Sequence, residues 1–513
     1  MLPTPAQMSE FERQAFASGG DADAAMDEAG AALASWVRSR HPGPGTLFLF
    51  LGRGHNAGDA LVAARHLADA GWRVHHHFAC DGAPAPRTAA RLAALGPTSS
   101  PFDPATIPAD SPRPWVLLDG LVGIGARLPL STDLTHAVEH INALRRSHGA
   151  HTVAVDVPSG LDADTGLPGK PTVTADSTAT MAVAKAGLVA DSAIPFVGRL
   201  AVLRLASLPW PDEKAPATLV ADSTFLAPFL PQRPHTLHKG SAGRIALLAG
   251  SSAYSGAAAL AASGALHAGA GLITLFAPKE ALPLVIPRCP PEIIIRPMDD
   301  FHHSHTAEFD AIGIGPGLGD TPLPFLGPLI RHAPVPLVLD ADALNQTAAG
   351  VHGRALESAE LPGARILTPH PGEFARLAGT SGDTAKAGGP GTPHTTRAEA
   401  ARRFANAHPA VTLLLKGPLS IVVADGHPLA YNPTGGNALA TGGSGDVLTG
   451  ITTALVARLP NKPWHAAILA AWLHGRAAEN AQSHGNESAE SLAPSALARW
   501  LGSAFTDLRH RTP

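Results

Sequence analysis

Short apolar runs alternate with longer amphipathic segments along most of the chain, and this alternation constrains the fold more than any other feature. Near the N-terminus the apolar run 46–51 is followed by a helical pattern at 59–70 and a second short run at 73–78. Strand patterns that alternate with helical patterns predict parallel strands whose connecting helices cover both faces of one sheet. We therefore predict an α/β fold.

The same alternation continues to residue 203. The predicted strands of this part are 46–51, 73–78, 115–118, 152–155, 178–183 and 199–203, and the predicted helices are 6–38 with a break at Gly19-Gly20, 59–70 and 134–146.

A proline-rich stretch then interrupts the alternation. Residues 208–238 contain Pro209, Pro211, Pro216, Pro228, Pro231 and Pro234. Prolines at this density indicate a segment between domains, and a chain of 513 residues is long for a single core. We predict an N-terminal domain at 1–207, a junction at 208–235 and a C-terminal domain at 236–513.

A second alternating series follows the junction. Its predicted strands are 244–249, 272–276, 311–314, 337–339, 365–367, 412–415 and 420–423, and its predicted helices are 256–268, 372–378, 397–407 and 464–480. Residues 382–396, rich in Gly, Pro and Thr, predict a surface loop.

Composition excludes several classes of partner. The net charge of -4 gives no sign of nucleic acid or an acidic membrane surface. The first twenty residues lack an apolar run behind a basic cluster, and the most apolar stretch, 256–276, is interrupted by His267, so we expect no secretory signal and no membrane span. The two cysteines, Cys80 and Cys289, rule out a disulfide framework. We expect a cytoplasmic protein.

The 26 histidines raise the question of a metal site. The densest groups are His75, His76 and His77, and His302, His303 and His305. Neither group has Cys or carboxylate partners at ligand spacing, and neighbours in a strand face opposite ways. We interpret both groups as solvated or incidental.

A glycine-rich loop, Thr441-Gly442-Gly443-Ser444-Gly445-Asp446, precedes a helical pattern formed by Val447, Leu448, Ile451 and Leu455. Free N–H groups and the dipole at a helix N-terminus favour a bound phosphate. A carboxylate would repel that phosphate unless it removes a proton from an attacking hydroxyl. Asp446 is therefore either such a base or a residue that stabilises the first helical turn.

Polar residues also follow the predicted strands of the second series, where an open parallel sheet binds its ligands. The segments are Gly315-Pro316-Gly317-Leu318-Gly319, Asp340-Ala341-Asp342-Ala343-Leu344-Asn345, Thr368-Pro369-His370-Pro371-Gly372-Glu373 and Lys416-Gly417. Each alone is compatible with an ordinary turn, but together they indicate a site beside the glycine loop.

With His238-Lys239-Gly240 and the glycine loop, these segments resemble the nicotinamide-nucleotide hydrate dehydratases over residues 236–501. The resemblance implies a ribokinase-like fold and a reaction that restores NADH or NADPH from the S form of its hydrate. The expected phosphoryl donor is ADP, with ATP as the alternative, and Mg²⁺ is the expected metal of this domain.

The same resemblance implies roles for individual residues. Asp446 is the expected base, and the N–H groups of 443–446 would stabilise the transferring phosphoryl group. Ala253, Gly317, His370 and Asp446 would line the hydrate pocket, and Lys416, Gly417, Pro418, Leu419, Ser420 and Gly445 would hold the nucleotide. Alternatives stay open: His370 could pack beneath its flanking prolines, Lys416 could be solvated, and Asp340 and Asp342 could orient Mg²⁺ or water or cap a helix.

In the first series, strand 46–51 leads into Gly52-Arg53-Gly54-His55-Asn56-Ala57-Gly58-Asp59-Ala60, which does not have the spacing of a dinucleotide fingerprint. Two further strand ends carry polar residues. Asp119 is followed by Gly123-Ile124-Gly125-Ala126-Arg127, and strand 152–155 ends in Asp156-Val157-Pro158-Ser159-Gly160-Leu161-Asp162.

Together these segments resemble the nicotinamide-nucleotide hydrate epimerases, a Rossmann-like family, over residues 10–203. The resemblance implies a three-layer domain and a K⁺ held by Asn56, Asp119 and Ser159. Asp156 would relay a proton near the reacting ring with assistance from Lys185. The hydrate phosphates would contact His55, Asn56, Ala57, Gly58 and Asp59, and Gly123, Ile124, Gly125, Ala126, Arg127 and Leu128.

The sequence departs from the epimerase pattern in its loops. His55, Ala57 and Ala60 replace an Asn and two Gly, and Ile124 replaces a Thr. Alanine where the backbone must approach phosphate or adopt a positive φ costs on the order of 1 kcal/mol, and lost Asn and Thr donors would weaken phosphate binding. An inactive N-terminal domain retained for packing is the alternative.

Two other functions compete with hydrate repair. The first is a ribokinase-type kinase of small alcohols or vitamins with a non-catalytic N-terminal domain, because the glycine loop serves phosphoryl transfer in general. The second is a non-catalytic nucleotide-binding or partner-recruiting protein. A homo-oligomer is possible by analogy with related folds.

Overall fold

A computed structural model describes residues 2–79, 82–210, 217–319, 322–348, 353–358, 360–379 and 396–512. The chain forms two compact units that divide between residues 216 and 217.

The first unit contains a sheet of seven parallel strands in the order β3-β2-β1-β4-β5-β6-β7. Its described strands are β1 (Thr46–Leu51), β2 (Arg73–Phe78), β3 (Ser99–Pro101), β4 (Trp115–Gly120), β5 (His151–Val155), β6 (Ser177–Met181) and β7 (Arg199–Leu203). Its described helices are α1 (Pro5–Ala17), α2 (Ala22–Arg40), α3 (His55–Asp69), α4 (Pro86–Leu95), α5 (Thr132–His148) and α6 (Ile194–Val197).

Both faces of this sheet are buried. Leu47 and Leu49 of β1 share a core with buried residues of α2 and α3. Phe48 and Phe50, which point to the opposite face, share a second core with Val138 and other buried residues of α5. The predicted three-layer α/β architecture of this unit is confirmed.

The second unit is built on a ten-stranded sheet in the order β11-β10-β9-β12-β13-β14-β15-β16-β17-β8. Its described strands are β8 (Thr218–Val220), β9 (Arg244–Leu248), β10 (Leu272–Ala277), β11 (Ile294–Pro297), β12 (Ala311–Ile314), β13 (Leu337–Leu339), β14 (Arg365–Leu367), β15 (Val411–Leu415), β16 (Ile421–Ala424) and β17 (Leu429–Tyr431). Neighbours are parallel from β11 to β15, whereas β16 is antiparallel to both β15 and β17.

The described helices of this unit are α7 (Ser223–Leu226), α8 (Ser255–His267), α9 (Leu282–Val285), α10 (Leu326–His332), α11 (Ala341–Ala348), α12 (Pro371–Leu377), α13 (Arg397–Ala407), α14 (Ser444–Arg458), α15 (Pro463–His484), α16 (Pro494–Leu497) and α17 (Leu501–His510). Residues of α8, α14, α15 and α17 form one apolar cluster with alternate residues of the strands.

Helices α8 and α14 meet backbone to backbone. A Cβ added to Gly264 would collide with the carbonyl of Val447, and one added to Gly450 would collide with the carbonyl of Ala261. Only glycine permits this approach at the two positions, and it explains why the predicted helix at 256–268 consists of small residues. Among the described helices, none combines the length and the apolar character that crossing a bilayer requires.

The structure changes several predicted elements. Strand β8 lies within the predicted junction 208–235, and it pairs with β17 at the edge of the second sheet. Three further strands, β3, β11 and β17, were not predicted, and each has four residues or fewer. Of the predicted loop at 382–396, only Thr396 is described, and it caps α13.

His75, predicted to be solvated or incidental, is a buried residue of β2. Its ring stacks on Phe48, and its Nδ1 lies 2.8 Å from Ser100 Oγ. Among the residues that the structure describes, no three His, Cys, Asp or Glu side chains group as metal ligands would. His75 therefore contributes to the packing of β2.

Candidate active sites

Each unit brings its predicted site residues to the carboxyl ends of parallel strands. In the first sheet β1 and β4 are neighbours, although β2 and β3 lie between them in the chain. In the second sheet β9 and β12 are neighbours, although β10 and β11 lie between them in the chain. Open α/β sheets bind ligands at such crossover points. The residues that follow these four strands include most of the predicted ligand contacts.

In the second unit the glycine loop leads into α14, as the sequence predicts. Gly443 is the N-cap, and Gly445 and Asp446 lie in the first turn, where N–H groups have no intrahelical partner. The start of the helix contacts α15, because His474 Nε2 lies 3.0 Å from the carbonyl oxygen of Ser444. The Ser444 hydroxyl also donates to the carbonyl of Leu439, at 2.8 Å.

An ion pair beside this helix start joins two other strand ends. Lys416 Nζ, after β15, lies 2.7 Å from Asp340 Oδ1, after β13. Thr449 Oγ1 of α14 donates to Asp340 Oδ2 at 2.7 Å. A Cβ built on Gly445 would stand 3.2 Å from Lys416 Nζ and 3.8 Å from Asp340 Oδ2. The lysine is therefore paired and next to the glycine loop, rather than solvated.

This arrangement changes the acidity of Asp446. Burial raises the pKa of the Asp446 carboxyl to about 7, with further contributions from the negative charges of Asp340 and Asp342, while Lys416 opposes the shift. A carboxylate with a pKa near the working pH is suited to accept a proton from a hydroxyl group. Asp446 lies in the first turn of α14, so stabilisation of that turn is compatible with the same position.

The two aspartates after β13 have different partners. The described hydrogen bonds of the Asp340 carboxylate go to Lys416 and Thr449, and none goes to the first turn of α11. Asp342 Oδ2 accepts from the N–H of Gly319 at 2.7 Å, which ties this strand end to the turn after β12. Asp340 therefore fixes the lysine, and Asp342 fixes the glycine turn.

Gly317, after β12, lies close to Tyr254 of the loop that follows β9. Gly317 has φ of 62°, and a Cβ there would stand 2.8 Å from the carbonyl oxygen of Tyr254, the neighbour of Ala253. The N–H of Gly250 donates to the carbonyl of Pro316 at 2.8 Å. The glycine at 317 thus permits the two loops to approach.

His370 is the N-cap of α12. Its Nδ1 accepts from the N–H groups of Gly372 and Glu373 at 3.0 and 3.4 Å, and the Glu373 carboxylate accepts from the N–H of His370 at 2.8 Å. The side chain is 53% exposed, so it does not pack beneath the flanking prolines. Because Nδ1 is an acceptor, Nε2 of the neutral ring carries the proton, and this atom lies 3.4 Å from Glu373 Oε1.

The predicted nucleotide residues form one turn between β15 and β16. The N–H of Lys416 donates to the carbonyl of Pro369 at 2.9 Å, and Ser420 Oγ donates to the carbonyl of Gly417 at 3.0 Å. Leu419 has φ of 47°, so the turn is tight even without glycine there. Of this turn, Lys416 reaches Gly445 through its side chain.

In the first unit the three predicted K⁺ residues also converge. Ser159 Oγ donates to Asp119 Oδ1 at 2.6 Å, and the Ser159 N–H donates to Asp119 Oδ2 at 2.8 Å. Asn56 is buried below Gly123, whose added Cβ would stand 3.5 Å from Asn56 Oδ1, and Asn56 Nδ2 has no hydrogen-bond partner within the described structure. Burial raises the pKa of Asp119 to about 6.

Asp156 and Lys185 form a buried ion pair. Asp156 follows β5, as Ser159 does. Asp156 has φ of 66° directly after β5, and its Oδ1 accepts from Lys185 Nζ, from Thr180 Oγ1 and from the N–H of Met181. Lys185 Nζ also donates to the carbonyl of Met181 at 3.0 Å. The backbone of Asp156 is in a region that non-glycine residues seldom adopt, and such strain is found most often at functional sites.

The expected positive φ at the altered positions Ala57 and Ala60 is wrong. Ala57 and Ala60 lie in the first turns of α3, both are fully buried, and neither has a positive φ. A right-handed helix accommodates alanine readily, so these substitutions impose no backbone strain. Ile124 packs against the core of the unit, whereas Gly125, Arg127 and Leu128 of the neighbouring loop are exposed.

Three residues at these sites have no motif in the sequence. Thr449 and His474 form hydrogen bonds beside the glycine loop. The charges of Asp156 and Lys185 affect the pKa of Glu12 of α1. Thr449 lies one helical turn after Gly445, and this spacing is the one signal that would have selected it. His474 and Glu12 act across the fold, so that local spacing does not select them.

Comparison with known proteins agrees with the division into two units. A family model described as NAD(P)H-hydrate dehydratase matches residues 245–499, and one described as YjeF-related protein N-terminus matches residues 22–187. The bifunctional NAD(P)H-hydrate repair enzyme Nnr of Moorella thermoacetica is 36% identical over 470 residues, which cover 85% of this chain and 83% of that one. Its counterpart in Gloeobacter violaceus is 34% identical over 494 residues, 92% of each chain.

Solved structures also resemble the chain. The ADP/ATP-dependent NAD(P)H-hydrate dehydratase of Bacillus subtilis, co-crystallised with ATP and Mg²⁺, is 30% identical, with a TM-score of 0.46, and covers 58% of this chain and 100% of its own. A ribokinase-like superfamily protein of Enterococcus faecalis is 21% identical with a TM-score of 0.47, and covers 58% of this chain and 99% of its own.

Proposed function

This chain belongs to the bifunctional NAD(P)H-hydrate repair enzymes, and on that premise we propose how its two sites divide the reaction. The chain repairs hydrated NADH and NADPH, with an epimerase in the N-terminal unit and an ADP- or ATP-dependent dehydratase in the C-terminal unit. In our proposal the N-terminal site interconverts the R and S hydrates, and the C-terminal site consumes the S form. ADP is the proposed donor.

Asp446 is the proposed base of the dehydratase, and the observation that carries this role is its pKa of about 7 beside the ion pair of Lys416 and Asp340. The carboxylate takes the proton of the ring hydroxyl as that oxygen attacks the terminal phosphoryl group of the donor. Free N–H groups at the start of α14 and the Lys416 ammonium stabilise the negative charge of the transferring group. The resulting phosphate ester then leaves as phosphate, and loss of a ring proton restores the double bond.

We further propose that the hydrate lies against Ala253, Gly317 and His370, and the donor against the turn 416–420 and Gly445. His370 Nδ1 is already an acceptor, and its Nε2, which lies 3.4 Å from Glu373 Oε1, is the ring atom left to donate to the hydrate. Mg²⁺ would neutralise donor phosphates and keep several of its waters, with Asp342 and Asp446 as the nearby carboxylates.

For the N-terminal site we propose a K⁺ held by Asn56, Asp119 and Ser159. The residues fit such an ion: Asp119 is a buried carboxylate with no cationic partner among the described residues, and the neighbouring Asn56 amide lacks a full set of hydrogen bonds. The ion would supply positive charge that orients the hydrate phosphates over 55–59 and 123–128. Asp156, held by Lys185, Thr180 and Met181, relays the proton at the reacting ring.

A phosphate assay separates the proposed dehydratase from a ribokinase-type kinase. Purified S hydrate of NADH is incubated with the protein and either ADP or ATP, and the recovered absorbance of NADH is compared with released inorganic phosphate. We expect equal molar amounts of NADH and phosphate, together with AMP when ADP is the donor. A phosphorylated product that keeps its phosphate, with no recovery of NADH, would identify a kinase and overturn the proposal.

A further inference from the structure

The first helix of the chain brings a carboxyl group to the Asp156 and Lys185 pair. Met8 of α1 is buried, and Glu12 follows it by four residues, so both lie on the helix face that packs against the unit. Two contacts hold this segment in place. The N–H of Ala186, next to Lys185, donates to the carbonyl of Pro3 at 3.0 Å, and the ring of Phe11 meets that of Trp210 with centroids 5.0 Å apart.

Glu12 is unlike the other acidic residue of this helix. Glu10 is exposed and ion-paired with Arg13. Glu12 is half-buried, and no hydrogen bond or ion pair holds its carboxyl group within the described part of the chain. Partial removal of a charged carboxyl group from water without a partner costs free energy, and protonation removes this cost. Such groups are found most often at functional sites.

The charged groups facing Glu12 come from three other elements. Burial raises the pKa of Glu12, the negative charge of Asp156 adds to this rise, and the positive charge of Lys185 opposes it. Asp59 of α3 belongs to the same group: burial, Asp156 and Glu12 raise its pKa well above the usual range. Side chains from four elements therefore interact through their charges, and burial and like charges favour the protonated forms of Glu12 and Asp59.

Epimerisation by loss and re-addition of water needs two proton-transferring groups. The ring C–O bond breaks as an acid protonates the leaving hydroxyl, and the ring nitrogen supplies the electron pair that forms the C=N⁺ bond. A second water then adds to the opposite face of the same carbon and gives its proton to a base. One carboxylate acting from one side serves only one of the two faces.

We propose that Glu12 is the second proton-transferring carboxyl group of the N-terminal site. In one direction its acid form protonates the leaving hydroxyl, and the Asp156 carboxylate, held by Lys185, accepts the proton of the entering water. In the reverse direction the two groups exchange roles, and solvent restores the starting protonation states between turnovers. This inference rests on the proposed epimerase function.

Glutamine at position 12 keeps the size of the side chain and removes its proton. The test compares Glu12→Gln with Glu10→Gln, the same change on the exposed side of the same helix. Each variant receives R hydrate or S hydrate with ADP, and the initial rates of cofactor recovery are corrected for the enzyme-free interconversion. We expect Glu12→Gln to lower use of the R form by about 100-fold or more while use of the S form is unchanged, as general acid–base groups contribute about 10²–10⁴-fold.

A structural role of Glu12 would give a different result. Glu12→Asp should restore part of the R-dependent rate, and the dependence of that rate on pH should lose its alkaline limb in Glu12→Gln, since no acid form remains to be titrated. Thermal unfolding of each variant shows whether a lost R-dependent rate results from misfolding. If Glu12→Gln is misfolded, the pH dependence of the R-dependent rate in Glu12→Asp is the test. An alkaline limb unchanged from the wild type would then overturn the proposal. Wild-type use of the R form by Glu12→Gln also overturns it. Failure of the unaltered protein to use the R form would instead refute the epimerase function itself.

Discussion

Lys416 and Asp340 lie 76 residues apart in the chain, yet their side chains form an ion pair of 2.7 Å between β15 and β13. The pair stands beside the first turn of α14, and its two charges act on Asp446 in opposite directions. Asp340 disfavours the ionised form of Asp446, and Lys416 favours it. The acidity of the proposed base is therefore set by residues from neighbouring strand ends.

Replacing Asp340 by Asn should move the pH dependence of dehydration to lower pH. The raised pKa of Asp446, about 7, means that the proposed base is fully ionised only above neutral pH, so that the wild-type rate rises through this range. Loss of the Asp340 charge lowers the pKa of Asp446. The measurement is kcat/KM for the S hydrate between pH 5.5 and 9 (about the range set by this pKa), and an unshifted acid limb would contradict the prediction.

Replacing Lys416 by Gln should move the same limb to higher pH, because a positive charge that favours the ionised form of Asp446 is lost. The change also leaves the buried Asp340 carboxylate without its cation, which costs several kcal/mol in a fully buried pair and less here, where the lysine is 20% exposed. We expect the KM for ADP to rise by about tenfold, which corresponds to about 1.4 kcal/mol. A limb that shifts in the same direction as in Asp340→Asn would refute the assigned charge effects.

Potassium should stabilise the N-terminal unit and support its activity. Asp119 is buried without a described cationic partner, so a bound cation offsets the cost of its charge. We expect the Tm and the R-dependent rate to fall when K⁺ is replaced by tetramethylammonium, while the S-dependent rate is kept. Asp119→Asn is the matched control, and its Tm should no longer respond to K⁺. Equal stabilisation of both proteins by K⁺ would remove Asp119 from the ion site.

Asp156→Asn should leave the R hydrate unused while the S hydrate is consumed normally. The amide cannot accept the proton of the entering water, and Lys185 loses the charge that holds it in the core. The rates for the two separated hydrates in the presence of ADP are the measurement. Unchanged use of the R form would exclude Asp156 from the mechanism.

The sequence predicted the elements of the sites better than their connections. The bounds predicted for β1, β12 and β13 agree with the structure, because their apolar runs end at polar or glycine residues. The contact between Asp340 and Lys416 depends on the order of the strands in the sheet, which the alternation of strand and helix patterns does not specify. Edge strands such as β8 were missed because three residues give too short a periodic signal.

The prediction for the segment after β1 was also incomplete, because residues 55–60 belong to a helix. Part of the cost assigned to Ala57 and Ala60 assumed a positive φ, but both residues are helical and buried in α3. Glu12 lies in a helix that the sequence predicted, yet its position beside Asp156 follows from packing between elements that are distant in the chain.

The most informative experiment on the two activities uses an equilibrated mixture of the R and S hydrates of NADH. The unaltered protein is incubated with this mixture and excess ADP in potassium buffer, and the restored absorbance is followed to its end point. We expect recovery of the whole mixture at a rate well above the enzyme-free interconversion of the two forms. Recovery that stops when the S form is exhausted would contradict an active epimerase, and no recovery with either ADP or ATP would contradict hydrate repair.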